Sequence, residues 1–299
     1  MAAPGSRDLP SALARWPEIA RRLAGRRLAL FLDFDGTLSP IVATPALATL
    51  PEPTREVLRR LVRRLPLAFL SGREREDVAG LVGLPAAIYA GNHGFDIAGP
   101  PAAGGGGEGA LRHEVGDGDP GRLERLAERL RRDLAGIRGA LVEPKRFSVA
   151  VHYRLVGDED LPRVEAAVDR AVAELTAASA ASAAARSEKP AGAARPPALV
   201  KTHSKKVFEL RPDIDWHKGR ALEWLLERLN LAGGEARLPL FIGDDVTDED
   251  AFAAVAGRGL GILVADEPRA TAATYRLRDP GEVRQFLEHL ADLADSAPG

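Results

Sequence analysis

Apolar positions along this chain fall into two kinds of run, and their order predicts the architecture. Leu28-Ala29-Leu30-Phe31-Leu32 is a short continuous apolar run, long enough for one buried strand. Residues 12–24 before it read as a short helix. After it, Val57, Leu58, Leu61, Val62 and Leu65 share one helical face within 54–65, and Pro66 ends that helix. Leu67-Ala68-Phe69-Leu70 is a second buried-type strand, followed by a helix over 74–82 and a strand over 86–90. This alternation predicts a parallel sheet with right-handed crossovers.

The rhythm breaks at 98–109, a stretch of Gly, Pro and Ala that reads as turn and linker. Beyond it the pattern predicts a helix over 121–135, an antiparallel pair across 138–155 and a helix from 160 to about 178. Phe147, Val149, Val151 and Tyr153 alternate with Ser148, Ala150 and His152, as in a strand with one buried face. The Ala-rich segment 178–198 reads as a loose insertion, and strands near 199–202 and 206–210 close this part. From Trp216 the first rhythm returns, with a helix over 218–229 that aligns Ala221, Leu222, Leu225, Leu226 and Leu229. A strand over 238–242, a helix over 248–256, a strand over 260–264 and a last helix over 281–293 follow. The simplest account is an α/β core built from 1–97 and 212–299, interrupted by an α+β insertion over 98–211.

Composition narrows the function more than the fold. Apolar residues make up 45% and charged residues 28% of 299, ordinary for a globular protein. The formal charge of −2 offers no footprint for nucleic acid or an acidic membrane. The absence of cysteine excludes a disulfide framework, a thiolate metal site and a cysteine nucleophile. Six histidines, at 93, 113, 152, 203, 217 and 289, show no paired ligand spacing, so zinc is not expected. No secretory signal or membrane span is apparent. The expectation is a cytoplasmic protein, with a monomer favoured.

The candidate chemistry begins where the first strand ends. Asp33 and Asp35 follow the apolar run at once, and Gly36 then breaks it. In α/β folds, ligands bind in the crevice outside the carboxyl ends of the strands. Side chains two apart face the same way, so these acids repel unless a proton or cation separates them. One acid as nucleophile and one as proton carrier, bridged by a hard cation such as magnesium, resolves that conflict. A second acidic run, Gly243 to Asp250, follows the strand at 238–242. Thr247 as a helix N-cap would account for the acids at 248–250, but not for Asp244 and Asp245. Ser71 stands at the end of the second strand, where its hydroxyl and the next N–H groups can hold a phosphate oxygen. Lys218 opens a helix, an unfavourable place for a cation unless it is paired.

Taken in order, strand–Asp-x-Asp-Gly-Thr-Leu, strand–Ser-Gly-Arg, helix–Lys and strand–Gly-Asp-Asp resemble the haloacid dehalogenase superfamily of phosphotransferases. Within it, the chain resembles the trehalose-6-phosphate phosphatases. The resemblance rests on Asp33 to Ile41, Ser71-Gly72-Arg73, Gly91-Asn92-His93-Gly94, Val142 to Lys145, Lys205 to Pro212, Trp216 to Gly219 and Gly243 to Phe252. It implies a Rossmann-like core with an inserted α+β cap. It also implies Asp33 as the nucleophile and Asp35 as the acid and then the base. Magnesium would be held by Asp33, the Asp35 backbone carbonyl and Asp244, supported by Asp245 or Asp248. Ser71 and Lys218 would hold the transferring phosphoryl group.

The resemblance further implies that the cap reads a disaccharide phosphate. Glu143 and Lys145 share one strand face, as do Lys205, Val207 and Glu209, and such mixed acids and lysines suit hydroxyl groups. Cross-strand surface ion pairs would explain the same residues. Arg73, Asn92 and His93 are the core residues expected to reach the substrate. The rival readings are a phosphatase for another sugar phosphate (sucrose phosphate or mannosylglycerate phosphate), a sugar phosphomutase, and a non-catalytic sugar-phosphate sensor.

Overall fold

The structure, a computed structural model, describes residues 9–100, 110–116, 120–185, 197–231 and 236–296. The expected Gly-rich loop at 104–107 and most of the Ala-rich insertion lie outside these. Two compact units result: Met1–Glu114 with Trp216–Gly299, and Val115–Asp215.

The first unit runs α1 (Trp16–Leu23), β1 (Leu28–Leu32), α2 (Glu52–Leu61), β2 (Leu67–Leu70), α3 (Arg75–Val82), β3 (Ile88–Gly91), β4 (Asp96–Gly99) and β5 (Leu111–Glu114). The second contains α4 (Pro120–Leu134), β6 (Leu141–Pro144), β7 (Val149–His152), α5 (Leu161–Ala185), β8 (Leu199–Ser204) and β9 (Val207–Pro212). The chain then returns to the first unit through α6 (Lys218–Leu231), β10 (Leu238–Gly243), α7 (Glu249–Val255), β11 (Leu260–Val264), β12 (Tyr275–Leu277) and α8 (Pro280–Ser296).

The core sheet has the order β12-β11-β10-β1-β2-β3-β4-β5, parallel from β12 to β3 and antiparallel for the last two strands. Alternate residues of each central strand feed opposite cores. Leu30, Leu240 and Ile262 pack with α1, α2, α3 and α8 on one face. Phe31, Phe241 and Leu263 pack with α6 and α7 on the other. A strand buried on both faces has no room for a polar side chain along its length, which is why β1 and β10 read as unbroken apolar runs. Each fully buried Leu or Phe is worth about 1.5–3 kcal/mol over its exposed state. The chain leaves β1 toward β2 on one side and comes back to β10 on the other, so β1 and β10 flank the switch point where such sheets bind ligands.

Several elements differ from those read in the sequence. Asp96–Gly99 and Leu111–Glu114 form a hairpin on β3, so the core sheet takes residues that read as linker, and the second unit begins at 115 rather than 98. Short strands among glycines carry too little periodicity to register. The three-residue β12 is too short to show a period at all. Helix α5 continues through Ala185, past the expected stop near 178, because its Ala-rich composition is helix-forming.

In the second unit, the sheet β6-β7-β9-β8 is antiparallel throughout. Val149 and Val151 of β7 pack with α4 and α5. Ser148 and Ala150 are buried as well, so β7 lacks the exposed face its alternation suggested. Glu143 pairs with Ala150, which pairs with Glu209, so both acids stand in one row across the sheet.

At the edge of the core, Trp216, Trp224 and His113 gather. His113 stacks on Trp224 with ring centres 4.4 Å apart and lies 5.1 Å from Trp216. Trp216 donates its indole N–H to the Gly94 carbonyl at 2.7 Å. Burial, helped by the Arg228 charge, holds the His113 pKa below its ordinary 6.5.

Candidate active site

The carboxyl ends of β1, β2, β3 and β10 converge on one crevice. Asp33 is the first residue beyond β1, and its N–H bonds to the Ile242 carbonyl of β10 at 2.9 Å, which locks the two strand ends together. Asp244 is the first residue beyond β10. Its carboxylate lies where a side chain on Gly36 would be, since a Cβ there would come within 2.0 Å of its Oδ2. Gly36 also takes φ +83, so both the close approach and the backbone require glycine.

Lys218 joins these ends. Its Nζ donates to Asp33 Oδ1 and to Asp248 Oδ1, each at 2.7 Å. Asp248 Oδ2 in turn accepts the N–H groups of Asp244 and Asp245, both at 2.9 Å. All four charged side chains are buried, with exposures of 5% for Asp33, 2% for Lys218, 3% for Asp244 and 0% for Asp248. The lysine at a helix start is therefore explained: it is buried between two acids.

Three acids face one buried cation, and the titration shifts reflect it. Burial raises the Asp33 pKa well above the usual carboxylate range; Lys218 opposes this, while Asp248 and Asp244 add to it. For Lys218, burial works against the charge, yet Asp248 and Asp33 outweigh it and drive the pKa up. The lysine stays charged, and the crevice still lacks positive charge. Oxygens of Asp33, Asp244 and Asp248 all lie within 4.8 Å of one another. A hard divalent cation fits such a set, since oxygen donors suit it and the net negative charge calls for it.

Asp245 takes a different place from Asp244. Its side chain accepts the Val246 N–H at 2.7 Å and closes a capping box with Asp248. Asp245 rather than Thr247 thus caps the short turn Val246–Asp248, and Asp248 stands at the start of α7 while its carboxylate also belongs to the acid cluster.

The β2 and β3 ends are bound to each other by backbone. Asn92 N–H bonds to the Arg73 carbonyl at 2.7 Å and His93 N–H to the Ser71 carbonyl at 2.8 Å. Asn92 and His93 adopt φ +50 and +57, rare for residues with side chains and costly unless the surroundings enforce it. Ser71 is buried, and its Oγ accepts the Arg73 N–H at 3.1 Å. The His93 ring packs where a Gly72 side chain would be.

Arg73 does what local spacing could not foretell. Its guanidinium grips Asp35 with two hydrogen bonds, of 2.7 and 2.8 Å, and also reaches Asp77 and the Pro45 carbonyl. Such two-pronged pairs are among the strongest charge-assisted contacts. Asp33 and Asp35, adjacent in sequence terms, therefore face different cations: Lys218 for one and Arg73 for the other.

In the second unit, Glu209 is buried and accepts Ser148 Oγ at 2.7 Å and Lys145 Nζ at 3.3 Å. Glu143 meets His152 Nε2 at 2.6 Å. Ser148 and His152 are partners that the sequence reading did not single out, although both lie in the alternating strand. Lys205 stands apart: it occupies the β8–β9 turn, and its carbonyl accepts from Arg154 at 2.8 Å.

The family model for trehalose-phosphatase matches residues 31–281. The chain belongs to the trehalose-phosphatase family. Among curated relatives, a probable trehalose-phosphate phosphatase D of Arabidopsis thaliana is 39% identical over 288 residues, covering 95% of this chain and 72% of that protein. A trehalose-phosphate phosphatase of Mycobacterium avium is 41% identical over 301 residues, covering 98% of this chain and 69% of the relative. Among solved structures, the C-terminal domain of the Candida albicans trehalose-6-phosphate phosphatase shares the fold with a TM-score of 0.70 at 20% identity, covering 96% and 99%. The expected α/β architecture with a parallel-sheet core is thereby met. Among the described residues, no helix is long and apolar enough to cross a membrane.

Proposed function

We propose that this chain hydrolyses trehalose 6-phosphate to trehalose and phosphate with magnesium, as a phosphoric monoester hydrolase of its family. The observation that carries this reading is the buried Asp33–Lys218–Asp248 chain beside Asp244 at the switch point of the sheet. Asp33 Oδ2 attacks phosphorus, and the bond from phosphorus to the sugar oxygen breaks. Asp35, once its carboxyl has left the Arg73 fork and taken a proton from solvent, gives that proton to the sugar oxygen. Asp35 then takes a proton from water, whose oxygen attacks phosphorus and frees Asp33. Lys218 opposes the upward shift of the Asp33 pKa and aims its carboxyl, and Ser71 and the neighbouring N–H groups hold phosphoryl oxygens.

Magnesium, when bound, supplies positive charge against the developing charge on the phosphoryl group. Asp33 and Asp244 would hold it, together with the Asp35 carbonyl, while Asp248 keeps Asp244 and Lys218 in place. Glu143, Lys145 and Glu209 would read the sugar hydroxyls, and Asn92 and His93 would shape the approach.

Phosphate release from a panel of sugar phosphates, with and without magnesium, tests the reading. Trehalose 6-phosphate is expected to be turned over far faster than glucose 6-phosphate or sucrose 6-phosphate, and chelation is expected to stop it. Comparable rates on all three would remove the assignment to trehalose, and conversion to an isomeric phosphate would make the protein a mutase.

A further inference from the structure

The catalytic crevice occupies one end of the core sheet, and the other end holds a cleft of its own. It opens where β1, β2, β3 and β10 begin and has a volume of about 1030 Å³. With about 3.3 Å per strand residue, the five residues of β1 place it roughly 16 Å from the acids. That is too far to share their chemistry.

The lining has two parts. Val62, Pro66, Ala86 and Leu293, none of them buried, supply an apolar wall over the buried Leu28, Leu67 and Ile88. Arg26, Arg27, Arg63, Arg64 and Arg237 supply charge, and no carboxylate stands among the described residues that line the cleft. Some basic residues belong here for a plain reason: helices α1 and α2 end at this side, and cations favour helix carboxyl ends. That reason covers Arg59 and Arg60 in the last turn of α2, which already pair with acids. It does not cover Arg237, which precedes a strand. Arg237 donates to the Leu28 and Leu229 carbonyls at 3.5 Å, and burial, reinforced by the Arg27 charge, lowers its pKa. Arg64 has Asp295 at 2.8 Å, while Arg26 and Arg63 make no ion pair among the described residues.

We propose that this cleft binds a phosphorylated amphiphile of nucleotide size, with its phosphates on the arginine forks and its apolar body against the wall of Val62, Pro66, Ala86 and Leu293. Guanidinium groups suit phosphate because their paired N–H donors match two oxygens at once. The volume exceeds what a bare phosphate fills and stands at the upper limit of small-molecule sites. A phosphate alone would leave the apolar wall wet, and an uncharged ligand would leave the arginines crowded.

Calorimetric titration of the full chain with ATP, in the presence of EDTA to prevent turnover, tests the proposal. ATP is expected to bind once per chain, more tightly than either adenosine or inorganic triphosphate. Affinity is expected to fall tenfold or more in a variant carrying Arg26→Glu and Arg63→Glu, since charge-assisted hydrogen bonds to phosphate are lost and repulsion replaces them. Both positions are exposed, and the milder Arg26→Gln with Arg63→Gln is expected to show a smaller loss with an unchanged melting temperature. Phosphatase activity without ATP is expected to stay as in the parent. Unchanged ATP affinity in the reversed variant overturns the site, and so does failure to bind at millimolar ATP. Equal affinity for ATP and triphosphate overturns the assigned ligand class.

Discussion

The two sheets of this protein carry their polar chemistry in different places, and the difference follows from what covers them. The core sheet is packed on both faces, so β1 and β10 are apolar throughout and their acids stand beyond the last residue, at Asp33 and Asp244. The smaller sheet sends Val149 and Val151 to its helices, and its other face carries Glu143, Lys145, Ser148, His152 and Glu209. Strand ends bring together residues far apart in sequence and fix them by backbone. A sheet face spreads its groups over a surface, where several hydroxyls can be met at once. Under the proposed function, the first arrangement serves one reacting atom and the second a sugar.

Substitutions break this comparison in order of size. Asp33→Asn is expected to abolish phosphate release, by about 10⁴-fold or more, while circular dichroism and the melting curve stay close to the parent. Substantial residual turnover would take the nucleophile role from Asp33. Lys218→Ala is expected to cost both activity and stability. It leaves Asp33 and Asp248 buried without their cation, a loss of about 3–5 kcal/mol, read from denaturant unfolding. A stable variant would mean that the acids take up protons at little cost. Glu209→Ala or Lys145→Ala is expected to weaken use of trehalose 6-phosphate by about 10- to 100-fold and to spare a small aryl phosphate. Equal losses on both substrates would remove the sheet face from specificity. The smallest effect belongs to the core edge. Because the folded pKa of His113 is depressed, its neutral form favours the fold above pH 6.5, and that contribution is lost as pH falls through the folded value. His113→Gln is expected to flatten the pH dependence of the melting temperature below pH 6.5, and an unchanged slope would assign it to other groups.

Legibility in sequence followed the same divide. Elements buried on both faces, such as Leu67–Leu70 and Leu260–Val264, announce themselves as unbroken apolar runs, and the residues after them could be read as site candidates. Asp33, Ser71, Lys218 and Asp244 were visible this way because each stands at an element boundary. Partnerships were not visible. Nothing local to Asp35 tells that Arg73, 38 residues on, will hold it, and the helix-start position of Asp248 does not tell of its contact with Lys218. Lys205 shows the converse: its two-residue spacing to Val207 suggested a shared face, but the hairpin turns there instead. The β4–β5 hairpin was hidden by glycines, because an edge strand draws on its neighbour for order rather than on its own pattern.

The gathering of Trp216, Trp224 and His113 gives the protein an optical signal of its own. Only three tryptophans are present, and two of them share this one histidine at the point where the chain passes from Glu114 into the second unit and returns at Trp216. Indole emission responds to nearby charge and polarity, and the Trp216 N–H is tied to the backbone next to His93. Trp16, stacked on His289 in the opposite layer of the core, is a built-in reference. Fluorescence of the unlabelled chain can therefore follow events at this edge of the core, with Trp216→Phe and Trp224→Phe dividing the signal between its two sources.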